Sequence, residues 1–398
     1  MSRNDRRTMI SDHVLLTTLA AGIPVDDIHL HRTTVPNLTT GQVVEILHDR
    51  RLLEWRLVGD AGDVIACAEP LSTGEPWPNF DADGGKDLSR FVTMRPHGEK
   101  WVLESGASRW EVQLDATGVS KLTAADEEIL RFLAPLGLLN DIDASPSLMT
   151  WEPLDLLFAT RNRIELAPER CGNRFPFRGS LDRPSYDQAA EFSGVRIPLP
   201  SPTNLPSVDF GSLAAQRSSK RSFRQEPLSL ELLSSLLWHT LRVTDLAPAD
   251  SEDPDSYDVA FRPVASSGAA AVIDAWVMAR NVRGVACGTW WYNPLTHELH
   301  QTSSRIVESE LAPTAPIAIL LASRHERLAW KYERLAFSLA LRDAGVIIHA
   351  LQLTAEALGL GATAWGAGAI SDVSQAMGTD PFRRMPVGEV YIGIPTDE

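Results

Sequence analysis

The stretch HERLAWKYERLAFSLALRDAGVIIHALQLTAEALGLGATAWGAG, residues 325–368, constrains the fold of this chain more than any other. An almost uninterrupted apolar segment, residues 344–360, runs through it, and it closes on the glycine-rich residues 359–368. A helix apolar on nearly every face has to be buried in a core or at a tight subunit interface. The segment is too short for a membrane span, and His349, Gln352 and Glu356 break it. Lys331 and Tyr332 stand at its entrance. That places two titratable groups against a low-dielectric wall, the setting in which pKa values move to suit proton chemistry. By spacing alone, a solvated lysine and a packed tyrosine ring are the commoner outcome.

At 398 residues the chain is long enough for two domains, each with its own core. A composition of 44% hydrophobic and 22% charged residues is that of a globular protein rather than a disordered one. The formal net charge of −15 argues against a nucleic-acid-binding protein, which would need a basic face. It is compatible with a neutral or basic peptide substrate. Cys67, Cys171 and Cys287 are odd in number and far apart, so they frame neither a disulfide scaffold nor a metal site, and a reducing cytoplasm is expected. The N-terminus has basic residues but no apolar export core.

Residues 1–145 read as a first module. LLEWRLVGDAGDVIACAEP predicts a hairpin around its Gly-Asp turn. FVTMRPHGEKWVLES and SRWEVQLDATG predict further strands, with turns at His97-Gly98 and Ser105-Gly106. Thr123 is the expected N-cap of the helix TAADEEILRFLAPLGLL, which carries Glu127 and Glu128 in its first turn. Strands plus a short helix make a small winged-helix-like α+β module. His29, His31, His48 and His97 lack metal-ligand spacing, and no metal is expected. Residues 146–205 read as a proline-rich, extended connector, and residues 206–398 as a second domain. That domain opens with Arg221, Ser222 and Arg224 just before a helix capped by Ser229, an arrangement suited to an anion. The acidic residues 245–258 predict a mobile loop. GTWWYNPLTHELHQ predicts a hairpin around Asn293-Pro294, APIAILLAS a buried strand, and PVGEVYIGIP a final strand. Gly359-Leu360-Gly361 follows a helix rather than a strand and lacks the third glycine, so the dinucleotide fingerprint fails.

AWKYERLAFSLALRDAG, followed by ALGLGATAWG and PVGEVYIG, resembles the SagB-type (ThcOx-like) dehydrogenases. These are FMN-dependent members of the nitroreductase superfamily that oxidise azolines to azoles in ribosomally made peptides. The resemblance is strongest over residues 220–393 and thinner over residues 88–202. It implies an α+β architecture, with a nitroreductase-like FMN-binding fold preceded by a small peptide-binding module. Lys331 and Tyr332 match the family's catalytic pair. A base is needed at the ring Cα, and either Tyr332 beside the ammonium of Lys331 or a desolvated neutral Lys331 answers to it. Arg221, Ser222 and Arg224 match the pattern that holds the FMN phosphate and ribityl chain. Ser266, Ser267 and Gly268 match the opening of a segment that lines the flavin, and Gly361, Ala362 and Gly366 are expected to let backbone approach it. Where that lining segment continues Leu-Tyr-Pro, this chain has Ala270-Ala271-Val272, and His349 replaces an asparagine of the central helix. Leu154 and Ala159 stand where a histidine is common. The resemblance further implies a homodimer, a modified precursor peptide as substrate and a cyclodehydratase complex as partner. The alternatives are an NAD(P)H-dependent nitro- or quinone reductase and a non-catalytic scaffold subunit.

Overall fold

A computed structural model of the chain divides into two compact units, residues 1–169 and residues 170–398. It describes residues 53–59, 61–72, 85–163, 172–366 and 370–396, with positions 42, 46–48, 75 and 78–79. His29, His31 and Cys171 lie outside the described residues.

In the first unit the alternating segments form β1 (Trp55–Val58), β2 (Val64–Pro70), β3 (Val92–His97), β4 (Lys100–Ser105) and β5 (Trp110–Leu114). They make an antiparallel sheet in the order β1-β2-β5-β4-β3. The hairpins turn where the sequence places them, with Gly62 and Gly98 at positive φ in the tight positions. One side of the sheet buries Leu103, Trp110, Val112 and Leu114 against Ile129, Phe132 and Leu133. The helix that supplies these residues differs from the expectation. Thr123 ends α1 (Ala116–Thr123), and α2 (Glu127–Leu133) is capped by Asp126, whose carboxylate accepts from the Glu128 amide. Ala125, at φ +52°, separates the two helices and breaks the single long run. A carboxylate directly before an acidic first turn is the better cap. Helix α3 (Pro153–Arg161) closes the unit, and buried Arg161 donates to the Ser105 and Ser108 carbonyls.

The second unit comprises β6 (Gly172–Asn173), β7 (Arg196–Pro198), α4 (Phe210–Gln216), α5 (Leu230–Leu241), β8 (Asp245–Ala247), β9 (Val259–Phe261), β10 (Ile273–Ala279), β11 (Gly288–Asn293) and β12 (Glu298–Ser303). It continues with β13 (Ile317–Arg324), α6 (His325–Lys331), β14 (Tyr332–Glu333), α7 (Ala336–Ala357), β15 (Gly361–Trp365), α8 (Ile370–Met377) and β16 (Arg384–Gly393). Seven of these strands form one antiparallel sheet, in the order β15-β16-β13-β10-β11-β12-β7. Part of the stretch expected to be a connector, β7, is its outer strand.

Successive residues of a central strand face opposite sides. Ala275, Val277, Ile319 and Leu321 therefore join the leucines of α5 and the inner face of α7. Trp276, Met278, Leu320 and Tyr391 face the other way, with Phe192, Trp291 and Met377. Burying each such side chain contributes about 1.5–3 kcal/mol. Ser229 caps α5 as expected, accepting from the Leu232 amide.

Two expectations for the central segment change. Lys331 does not open the long helix: it is the last residue of α6, and α7 begins at Ala336 after Arg334, whose φ is +60°. At 22 residues α7 is also long and apolar enough to cross a bilayer by length and composition. Its buried side, from Ala336 through Ala344, Ile347 and Leu351 to Ala355, packs into the core.

Strand β13 gives this unit two ends. At one, Ile317 pairs with Ile392 and Ala279; at the other, Ser323 pairs with Ile273 and Arg324 with Arg384. Seven residue steps separate them by roughly 23 Å. Helix α7 starts beyond the Arg324 end and leads back to Gly361, which pairs with Gly393 at the Ile317 end.

Candidate active site

At the Arg324 end, the chain delivers Lys331 on the last turn of α6. The Lys331 carbonyl accepts from the amides of Arg174 and Phe175, and Tyr332 pairs with Asn173 through β14 and β6. Phe175 packs its ring edge-on against Trp330, with centroids 5.3 Å apart. Residues 172–175, placed in the connector by the sequence, thus fix the backbone of the Lys-Tyr pair.

Opposite this pair stands the segment 266–271. Gly268, Ala269 and Ala271 all adopt positive φ, of +58°, +51° and +45°. Two of the three are alanines, which pay for the left-handed region that glycine enters freely. The segment is anchored by Asp343 on α7, whose carboxylate accepts from the Ser267 amide at 3.0 Å and the Ser267 hydroxyl at 2.8 Å. Burial pushes the Asp343 carboxyl up from its ordinary range, against the two Ser267 donors and the Arg262 charge, which hold it down. Arg262 itself is structural, donating to the Ile273 carbonyl and the Tyr186 hydroxyl.

Gly268 faces three polar atoms. A β-carbon there would lie 2.8 Å from the Tyr257 hydroxyl, 2.8 Å from the Tyr332 hydroxyl and 2.9 Å from Lys331 Nζ. Lys331 Nζ donates to the Tyr257 hydroxyl at 2.5 Å and lies 4.2 Å and 5.0 Å from the ring centroids of Tyr257 and Tyr332. The Tyr257 hydroxyl in turn donates to the Gly268 carbonyl. Burial pushes the Tyr257 phenol up, a shift the nearby Arg327 charge opposes. Arg327 is itself lowered to about 10 by burial and by Arg324.

Tyr257 belongs to the acidic segment 245–258, and that segment is braced rather than free. Arg183 donates to the Asp250 and Asp253 carbonyls, Arg178 pairs with Asp255, and Arg327 donates to the Asp258 carbonyl. The Asp258 carboxylate accepts from the Tyr186 and Ala249 amides. The acidic side chains here serve to tie the turn, which composition alone does not reveal.

Of the other predicted residues, Arg221, Ser222, Arg224, Gly361 and Ala362 lie at the Ile317 end, whereas Gly366 follows Trp365, which β16 aligns with the middle of β13. Ser222 and Arg224 pair their backbone with Thr396 and Ile394, and Ser219 and Lys220 run beside Ala362. Between the two arginines Phe223 is buried, its amide donating to the Thr314 hydroxyl. Arg221, Ser222 and Arg224 are exposed. Arg221 makes no hydrogen bond or ion pair among the described residues. Gly361 is explained by close packing: a β-carbon there would meet Lys220 at 2.8 Å and Pro395 at 3.2 Å. A β-carbon on Gly366, past the end of β15, meets nothing within 4 Å.

The site residues expected from sequence therefore fall into two groups at opposite ends of β13. Ser266, Ser267, Gly268, Lys331 and Tyr332 come together, whereas Arg221, Ser222, Arg224, Gly361 and Ala362 form the second group. Sequence reasoning missed Tyr257 and Asp343. A carboxylate on the inward side of an apolar helix was the available signal for Asp343. For Tyr257, a lone tyrosine among acidic residues, there was none. Among the described residues no cluster of His, Cys, Asp and Glu is arranged to ligate a metal.

An antiparallel sheet enclosed by a long central helix, with a basic turn at one end and a Lys-Tyr pair at the other, defines a class. The model of the nitroreductase family matches residues 214–394. That stretch is similar to the nitroreductase family, whose members are flavin-type oxidoreductases. A protein of Methanocaldococcus jannaschii named as a nitroreductase, MJ1384, is 27% identical over 205 residues, covering 49% of this chain and 96% of its own. Among solved structures, a nitroreductase-type protein of Ralstonia eutropha JMP134 is 24% identical, with a TM-score of 0.43 over 55% of this chain and 97% of its own. The microcin synthetase McbBCD complex of E. coli, solved with truncated pro-MccB17 bound, is 19% identical, with a TM-score of 0.38 over 57% of this chain and 88% of that one.

Proposed function

We propose that this protein is an FMN-dependent azoline dehydrogenase that converts thiazoline or oxazoline rings of a modified precursor peptide to azoles. The observation that carries the reading is the convergence of Lys331 Nζ and the Tyr332 hydroxyl on the space in front of Gly268. Aromatising the ring removes a proton from its Cα and a hydride from the neighbouring carbon, leaving a new carbon–carbon double bond. FMN, when bound, supplies the hydride acceptor. The chain's own task is to hold a base at Cα and to exclude competing groups from the ring's face. Lys331 and Tyr332 are the candidate bases, and the absence of a side chain at Gly268 is what lets both approach its backbone. The residues present fit the cofactor: two exposed guanidinia flank a backbone-anchored turn for its phosphate, and a glycine faces convergent donors for its ring.

The separation of the two groups along β13 favours a homodimer in which the basic turn of one copy meets the Lys-Tyr group of the other. Leu341 and Val346 on α7, both exposed, are suited to cover at such an interface. In the same reading the first unit recognises the peptide or its cyclodehydratase partner. The outer strand β3, exposed over its last four residues, offers an edge to an extended chain.

The test is to incubate the purified protein with an azoline-bearing peptide in air. The expected result is a flavin spectrum, loss of two hydrogens per ring and formation of hydrogen peroxide. NAD(P)H consumption with a nitroarene, and no change in the peptide, would instead assign it as a reductase.

A further inference from the structure

We propose that Tyr257 is a positioning residue of this site, holding the amino group of Lys331 and the backbone of Gly268 in one fixed arrangement. The proposal rests on the azoline reading for its kinetic consequence and on geometry alone for its structural one.

Hydrogen-bond direction carries the argument. The Gly268 carbonyl can only accept, so the single phenolic proton of Tyr257 is committed to it. The Tyr257 oxygen is then left with lone pairs alone, and it faces Lys331 Nζ at 2.5 Å. Lys331 must therefore donate, whether it carries two protons or three. One N–H of Lys331 is thereby directed at Tyr257. The remaining valences of Nζ, including the lone pair of the neutral amine, are turned to other directions. The ring of Tyr257, 4.2 Å from Nζ, restricts the same group from a second direction.

A lysine loses much of its rotamer freedom when it is ordered. Here that ordering is already in place before a substrate arrives. The phenol stays protonated across the neutral range, because burial raises it. The anchors of the acidic segment acquire a purpose in this light. Arg178, Arg183 and Arg327 grip residues 250–258 from three directions, and Tyr257 is the side chain so delivered. Its second contact restrains Gly268 inside a segment with three positive φ angles, where a loose carbonyl would let the backbone relax.

Two measurements on the full-length protein test this. In the first, lysines are labelled with limiting acetic anhydride and quantified by peptide mass spectrometry, with Lys100 as the exposed reference. Tyr257→Phe is expected to raise labelling of Lys331 at least threefold relative to Lys100. Unchanged labelling overturns the proposal whether or not the protein oxidises azolines. In the second, kcat and KM are determined for Tyr257→Phe, Lys331→Ala and the double variant. The single Tyr257→Phe change is expected to lower kcat about 10- to 100-fold, with KM and flavin content within twofold of the parent. The double variant is expected to be no slower than Lys331→Ala alone, because a residue that acts through Lys331 has nothing to add once Lys331 is gone. Losses that multiply mean that Tyr257 acts by another route, and they overturn it. A wild-type protein inactive on azolines would reject the functional reading, leaving the labelling result to decide the role of Tyr257.

Discussion

At the scale of single residues, the azoline reading turns on which atom takes the proton from the substrate. Lys331→Ala and Tyr332→Phe should each give flavin-replete protein with azoline oxidation lowered by about 10²–10⁴, the usual share of a positioned acid or base. Lys331→Arg separates the two candidates, because a guanidinium is not deprotonated in proteins. If Tyr332 is the base, Lys331→Arg keeps part of the rate; if neutral Lys331 is the base, it is as inactive as Lys331→Ala. Flavin-loaded variants at parental rates would show the pair to be structural. Lys331 and Tyr332 were legible in the sequence because they are adjacent, so a short pattern carries them. Tyr257 was not, because it lies 74 residues away. Its meaning depends on a backbone excursion at residues 266–271 that no local propensity encodes.

At the scale of elements, hydrophobic patterning located the strands of the first unit and the central strands of the second with their hairpin turns. It did not locate β7, β8 or β15, which lie in stretches read as connector, loop and glycine-rich turn. Nor could it locate where one helix stops and the next begins. Residues 325–357 are helix-forming almost throughout, yet the extended pair Tyr332–Glu333 and Arg334, in the left-handed region, break α6 from α7. The cap at Asp126 was misplaced to Thr123 for a similar reason, since both residues precede acidic side chains. Strand β16 offers a test of how the sheet's interior treats charge. Glu389 is buried there, accepting from the Tyr391 hydroxyl, and burial raises its pKa above the ordinary 4.5. A raised folded-state pKa means that the folded protein binds this proton more tightly than the unfolded chain. The contribution of Glu389 to stability therefore falls as pH rises from about 4.5 through the folded value. Glu389→Gln keeps an acceptor for Tyr391 and removes the charge. The melting temperature of Glu389→Gln relative to the parent should accordingly climb with pH across that window and then level off. A difference independent of pH would mean that Glu389 is solvated as well folded as unfolded.

At the scale of the whole molecule, the two ends of β13 make one chain an incomplete enzyme in the dimer reading. The sequence held both groups of residues but not their separation, because register along a sheet is a property of pairing rather than of composition. Complementation reads this directly. Arg221→Ala/Arg224→Ala and Lys331→Ala variants should each be inactive alone. After random exchange of subunits, half of the dimers are mixed and each mixed dimer has one intact site of two, so activity should return to about a quarter of the parental value. Mixtures that stay inactive would place both groups of one site on a single chain.

The missing β-carbon at Gly268 also gives the experimenter a plug. The volume a methyl group would fill is the volume in which Lys331, Tyr257 and Tyr332 meet. Gly268→Ala would therefore carry a permanent occupant in its own backbone, at the added strain of a left-handed alanine. Its basic turn and its first unit are untouched by the change. In the azoline reading such a protein should turn over at least a hundredfold more slowly, and its flavin content beside single-turnover kinetics would reveal whether the plug displaces the cofactor or only the substrate.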